Sequence, residues 1–143
     1  MTFKALALAL TAVALLVTPA TAETVDGNQI YVIDGDTIAI QGQSQHIRLL
    51  DIDAPETYRP RCERELRLGL DAKARLIELV RGHQVEIERK STDRYGRALA
   101  RLKVDSQDLG QVLLREGHAI VWRPGREAWA ERARHWCGSE VRQ

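Results

Sequence analysis

Apolar and polar positions divide the chain into short alternating runs followed by longer stretches with helical spacing. Gln29 to Ile33 and Thr37 to Ile40 are β-branched or alternating runs split by Asp34-Gly35-Asp36, a pattern that predicts strand, tight turn, strand. Gln41-Gly42-Gln43 turns the chain again into a third run, His46 to Ile52. Between Glu63 and Arg81 the apolar positions Leu66, Leu70, Ala74, Ile77 and Val80 recur every three or four residues, which predicts a helix with that face inward and Gly82 ending it. Gln84 to Arg89 and Ala98 to Val104 alternate and read as strands joined through Asp93-Arg94-Tyr95-Gly96. Ser106 is a candidate cap for a helix carrying Leu109, Val112 and Leu113 and ending at Gly117; a last helix follows Pro124-Gly125 through Trp129 to Trp136. The first three strands have connections too short for crossover helices. The expected class is therefore α+β, mainly β: a five-stranded, OB-fold-like Greek-key barrel with about three α-helices.

The first 22 residues stand apart. Lys4 is followed by a nearly unbroken Ala, Leu and Val run from Ala5 to Val17, and Ala20-Thr21-Ala22 is a small-x-small cleavage site. This is the pattern of a signal peptide cut after Ala22, and the run is shorter than the roughly 20 residues of a membrane span. The expected organisation is residues 1–22 as leader and 23–143 as one domain, secreted or periplasmic, with no membrane attachment in the mature form. In that compartment Cys62 and Cys137, the only cysteines, are expected to pair.

Removal of Lys4 with the leader leaves 20 basic against 20 acidic residues, a balance that argues against passive coating of nucleic acid. The arginines nevertheless cluster, at Arg59, Arg61, Arg64 and Arg67 and again at Arg123, Arg126, Arg132 and Arg134. Three segments hold most of the reactive side chains: Asp34-Gly35-Asp36-Thr37, Arg48-Leu49-Leu50-Asp51-Ile52-Asp53-Ala54-Pro55-Glu56 and Thr92-Asp93-Arg94-Tyr95-Gly96-Arg97. Carboxylates gathered at turns offer hard oxygens suited to calcium. Two arginines on separate strands offer permanently charged forks for phosphate oxygens whose charge grows in a transition state. That combination points to phosphodiester hydrolysis.

In order and approximate spacing the three segments resemble the active-site signature of the staphylococcal nuclease family, over about Gln29 to Arg126. The resemblance implies a five-stranded barrel with three helices and a monomeric, calcium-dependent nuclease of DNA and RNA that leaves 3′-phosphate ends. Asp36 and Asp53 would supply calcium carboxylates, the Ala54 carbonyl a further ligand, and Asp34 an outer-shell contact. Arg48 and Arg97 would clamp the scissile phosphate, and Glu56 would activate or orient the attacking water. Arg94 and Tyr95 match positions that contact the terminal phosphate and nucleotide. Ala54 departs from the family's namesake, which has Thr there, and Arg123 stands where an aromatic nucleotide contact is expected, with Trp122 beside it. The alternative is a non-catalytic OB-fold module that binds single-stranded nucleic acid; degenerate copies of that kind lack the acids and arginines present here. An exported calcium-binding adhesive module would explain the carboxylates and leave Arg48 and Arg97 without a task. Trp122, Trp129 and Trp136 recur every seven residues, which reads as a helix-packing stripe. The four histidines are scattered and receive no role.

Overall fold

The computed structural model describes residues 22–140, so the leader pattern lies outside the described residues except for Ala22. The strands are β1 (Glu23–Asp26), β2 (Ile30–Asp34), β3 (Thr37–Ile40), β4 (Ile47–Leu49), β5 (Ile52–Asp53), β6 (Gln84–Thr92), β7 (Ala98–Val104), β8 (Gln107–Asp108) and β9 (Ile120–Val121). The helices are α1 (Glu63–Val80), α2 (Leu109–Arg115) and α3 (Arg126–Cys137). A mixed sheet in the order β1-β6-β7-β4-β3-β2, with β8 added to β7, curls into a half-barrel, and β5 pairs with β9 in a separate ribbon. This is the OB-fold-like α+β arrangement expected. Its one parallel pair joins β4 to β7, with Arg48 opposite Leu99, and its register is interrupted by bulges between Val32 and Asp34 and between Arg89 and Ser91.

Alternation along the strands sends Ile38, Ile47, Leu49, Ile87 and Leu102 into the half-barrel, where α1 covers them with Leu76 and Val80 and α2 adds Leu109 and Leu113. Each such side chain contributes about 1.5–3 kcal/mol on burial. Because opposed residues share a face, the register also places Thr37, Arg48 and Leu99 together on the other side of the sheet.

Four expectations change. The third strand, His46 to Ile52, is broken into β4 and β5 because Asp51 adopts a left-handed backbone, φ 64°, and turns the chain. Helix α1 is where the spacing put it but is rotated: its buried face is Glu65, Gly69, Ala72, Leu76 and Val80, while Leu70 and Ala74 are exposed. Small residues lie inward there because loop and turn backbone approach the helix too closely for larger ones. The cap of α2 is Asp108, whose carboxylate accepts from Gln111 N, whereas Asp105 and Ser106 form the β7–β8 turn with positive φ. The tryptophan stripe does not exist as such: Trp122 precedes the helix, Trp136 is 2% exposed and Trp129 is 54% exposed.

Cys62 and Cys137 form a disulfide that joins the start of α1 to the end of α3. Arg64 reinforces the junction by donating to the carbonyls of His135 and Trp136 at 2.9 and 2.7 Å. Among the described residues, no helix is long and apolar enough to cross a membrane.

Candidate active site

The Asp34-Gly35-Asp36 turn, the β4–β5 segment and the loop after β5 converge on the end of the sheet that α1 covers. Gly35 is required by close approach: a Cβ there would lie 2.7 Å from the Ala72 Cβ of α1 and 2.8 Å from that of Ala54. Gly69 does the same from the helix side, where a Cβ would come within 2.8 Å of the Pro55 carbonyl oxygen and 3.0 Å of that of Glu56. Two glycines thus let the acid-bearing turn and the Glu56 loop press onto the same helix.

Asp36, only 4% exposed, is held on three sides. Its carboxylate accepts from the Ala54 backbone N–H at 2.9 Å, from Thr37 Oγ1 at 2.9 Å and from Arg48 at 2.9 Å. Arg48 also donates to Asp53 at 3.0 Å and to the Ile52 carbonyl at 3.3 Å, so one guanidinium bridges the two acids. Asp53 has a second cation, Arg132 of α3, at 3.2 Å. Asp34 Oδ1 accepts from the Asp36 N–H at 3.4 Å.

Negative charge exceeds what these arginines compensate. Burial, then the neighbouring charge and hydrogen bonding of Asp36, push Asp34 up to about 7. Burial and Asp36 also raise Asp53, against the opposing pull of Arg132 and Arg48. Glu56 sits on the rim, crowded by protein on one side and open to water on the other. Its carboxyl is raised by burial and then by the charges of Asp36, Asp53 and Glu65. For Arg48, burial acts to lower the pKa, but the charges of Asp36 and Asp53 outweigh it and hold the guanidinium above its usual value.

Arg97 does not touch this cluster. Its side chain donates to Asp93 at 2.8 Å, and its own backbone N–H goes to the same carboxylate at 3.0 Å. It precedes Ala98 at the start of β7, two residues before Leu99, so alternation gives it the face that Arg48 shares. Tyr95, exposed at the tip of the β6–β7 turn, lies beside both Arg97 and Arg94 at 5.4 and 4.8 Å from its ring centre, and Arg94 donates to its hydroxyl at 2.7 Å.

Three participants were missed in the sequence. Glu65 is fully buried and accepts from the side chain and backbone N–H of Arg61 as well as from the Glu56 N–H at 3.4 Å, so it fixes the loop that carries Glu56. Gly69 carried a signal, an isolated glycine within a helical pattern. Arg132 carried none beyond its place in a basic run.

No group of three or more His, Cys, Asp or Glu among the described residues gathers tightly enough to form a ready-made metal cage, since Arg48 stands between Asp36 and Asp53. The donors themselves are hard oxygens with surplus negative charge, which suits a hard divalent cation and no soft one. A cleft of about 170 Å³ lies between β9 and α3 and shares only Arg132 with the acids. The carboxylate cluster, not the cleft, gathers the acids and the Arg48 fork.

A family model described as staphylococcal nuclease homologue matches residues 46–138, which include Arg48, Asp53, Glu56 and Arg97; Asp34 and Asp36 precede the matched span. The chain belongs to this family. It is 40% identical over 95 residues to endonuclease YncB of Bacillus subtilis (62% of this chain, 44% of that protein). It is also 36% identical over 109 residues to micrococcal nuclease of Shigella flexneri (74% and 58%) and 38% identical over 98 residues to protein ParB of Escherichia coli (67% and 51%). The chain spans about half the length of the curated relatives it matches.

Proposed function

We propose that this chain is an exported, calcium-dependent nuclease that hydrolyses phosphodiester bonds of DNA and RNA and leaves 3′-phosphate ends. The observation that carries the reading is Arg48 bridging Asp36 and Asp53 at 2.9 and 3.0 Å, an arrangement that brings a guanidinium fork and two carboxylates to one point. Arg48 and Arg132 together offset Asp36 and Asp53, while Asp34 and Glu56, both raised by burial and by neighbouring acids, leave surplus negative charge that a bound cation would offset.

Asp36, Asp53 and the Ala54 carbonyl would hold calcium, with Asp34 in the outer shell; bound there, the ion supplies positive charge to the phosphate oxygens. Arg48 uses three of its five N–H donors on Asp36, Asp53 and the Ile52 carbonyl, which leaves two for the substrate. Arg97, on the same sheet face, offers a second fork, held in place by Asp93. Together they stabilise the charge that builds on the non-bridging oxygens as water attacks phosphorus and the 5′-oxygen leaves. Glu56 accepts the proton of that water or orients it, and its raised pKa moves it toward the range of an effective base near neutrality. Arg94 and Tyr95 contact the neighbouring phosphate and nucleotide. The leader pattern of residues 1–22 and the Cys62–Cys137 disulfide support an oxidising destination.

The test is digestion of single-stranded DNA and RNA with calcium or with excess EGTA, followed by mass spectrometry of the ends. The reading expects cleavage with calcium only and 3′-phosphate products. Full activity in EGTA, or 5′-phosphate ends, overturns it.

A further inference from the structure

Trp129 lies on α3 with its residue 54% exposed, so its indole face is open to solvent. The guanidinium of Arg61 stands 5.8 Å from its ring centre. Arg61 is not a loose surface cation: the fully buried Glu65 grips its Nε at 3.0 and 3.1 Å, so the charge beside the indole is fixed. Two contacts tie this platform to the carboxylate cluster. Glu65 accepts from the Glu56 N–H as well as from Arg61, and Arg132, one turn along α3 from Trp129, reaches Asp53. In the same loop as Arg61, Tyr58 is 74% exposed with Arg59 5.3 Å from its ring centre, and Arg59 keeps a left-handed backbone at φ 59°.

Planar aromatic faces paired with fixed guanidinium groups suit stacked bases joined by phosphates. We propose that Trp129, backed by Arg61 and with Tyr58 and Arg59 in the loop that carries Arg61, is a second stacking site for single-stranded polynucleotide, taking a base and its phosphate on the Glu56 side of the acids. It is separate from Tyr95, which stands on the β6–β7 turn. The proposal rests on the nuclease reading for the path of the strand, though not for its test. A two-nucleotide ligand can occupy the acids and one flank only; a longer strand engages both. Trp129 therefore determines how affinity grows with length.

Equilibrium binding of labelled dT2 and dT12, with rU12 as the RNA arm, measured in EGTA, separates the possibilities. Trp129→Ala is expected to weaken dT12 and rU12 at least about fivefold, the effect of one lost stacked base, with less than twofold change for dT2. Trp129→Phe, which keeps a ring, should recover most of the loss. Equal weakening of dT2 and dT12, or no change in either, overturns the site, as does failure of the Phe variant to differ from Ala. Wild type that binds dT12 through Trp129 but does not cut it in calcium leaves this site standing and sinks the nuclease reading. Calcium-dependent cutting with unaltered dT12 affinity in Trp129→Ala does the reverse.

Discussion

Replacing both Cys62 and Cys137 by Ser should lower stability by about 4.5 kcal/mol. The bond closes a loop with a sequence separation of 75, and the chain-entropy relation for that length gives this value at 25 °C. The substitution is chosen because little else changes. Cys62 Sγ caps α1 by accepting the Glu65 N–H at 3.3 Å, and a serine hydroxyl can do the same, so the helix start survives. Both sulfurs are buried, and serine there adds a modest polar burial to the entropic loss. For a domain of this size the sum corresponds to a fall in Tm of roughly 15–20 °C. The loss should begin at α3, whose end is held by the disulfide and by Arg64, and whose detachment would free Arg132 from Asp53. Near-ultraviolet circular dichroism, sensitive to the buried Trp136, should therefore change before the far-ultraviolet signal of the sheet. Thermal melts of oxidised, reduced and doubly substituted protein provide the measurement. A Tm within about 3 °C of the oxidised wild type for both other forms would show that Arg64 and helix packing hold α3 alone, and the entropic argument would fail.

Glu65 sets the acid limit. Burial acts to raise its pKa, but the hydrogen bonds and charge of Arg61 outweigh this and depress it, so its stabilisation is fully present above the ordinary value of about 4.3 and is lost as pH falls through the lower folded value. Glu65→Gln should cost about 3 kcal/mol at pH 7 and flatten the fall in stability below about pH 4.5; an unchanged acid limb in urea titrations would contradict this. Arg48→Lys keeps a charge but cannot span Asp36 and Asp53 while presenting two further donors, so turnover should drop about 10²-fold with intact circular dichroism, and a loss under threefold would remove the fork from the mechanism. Arg132→Ala removes one of the two cations on Asp53, so the calcium needed for half-maximal cleavage should fall roughly two- to fivefold; an increase would mean that Arg132 orients Asp53 more than it opposes the metal.

Legibility followed the range of the interaction. Turn chemistry and alternation are local, so Thr37–Ile40 and Ala98–Val104 were readable to the residue, and Asp36, Arg48, Asp53, Glu56 and Arg97 could be singled out from three short segments. Strands β5 and β9 have two residues each and exist only because Asp53 pairs with Ile120, a partner that no local pattern announces. Strand β1 is four residues whose register is set by β6. The face of α1 was misread for a different reason. Periodicity weights large apolar residues, which favoured Leu70, whereas closeness of backbone selected Gly69 and Ala72 for the inside. A seven-residue repeat likewise treats Trp129 and Trp136 as equivalent, yet the end of α3 is stapled to α1 while its start overhangs solvent.

The same distinction separates the groups able to do chemistry from those that govern them at rest. Acids and arginines with suitable spacing are a property of the chain, but their pairing is a property of the fold. Arg48 rests on Asp36 and Asp53, Arg97 on Asp93, and Asp53 on Arg132 as well. Each fork proposed for phosphate thus already spends donors on a carboxylate, although Arg48 keeps two in reserve. A metal must compete with these pairs for the acids, and the two arginines differ in what they give up. Arg48 lies half-buried between acids that the metal would engage, so metal binding would release it toward phosphate, whereas the Asp93 that holds Arg97 lies outside the cluster. Metal affinity should consequently depend on Arg48 and Arg132 and hardly at all on Arg97. Calcium titrations of Arg48→Lys and Arg97→Lys, read by a bound lanthanide's luminescence rather than by cleavage, should shift for the first and coincide with wild type for the second; equal shifts would mean that the two forks act on one shared charge cluster.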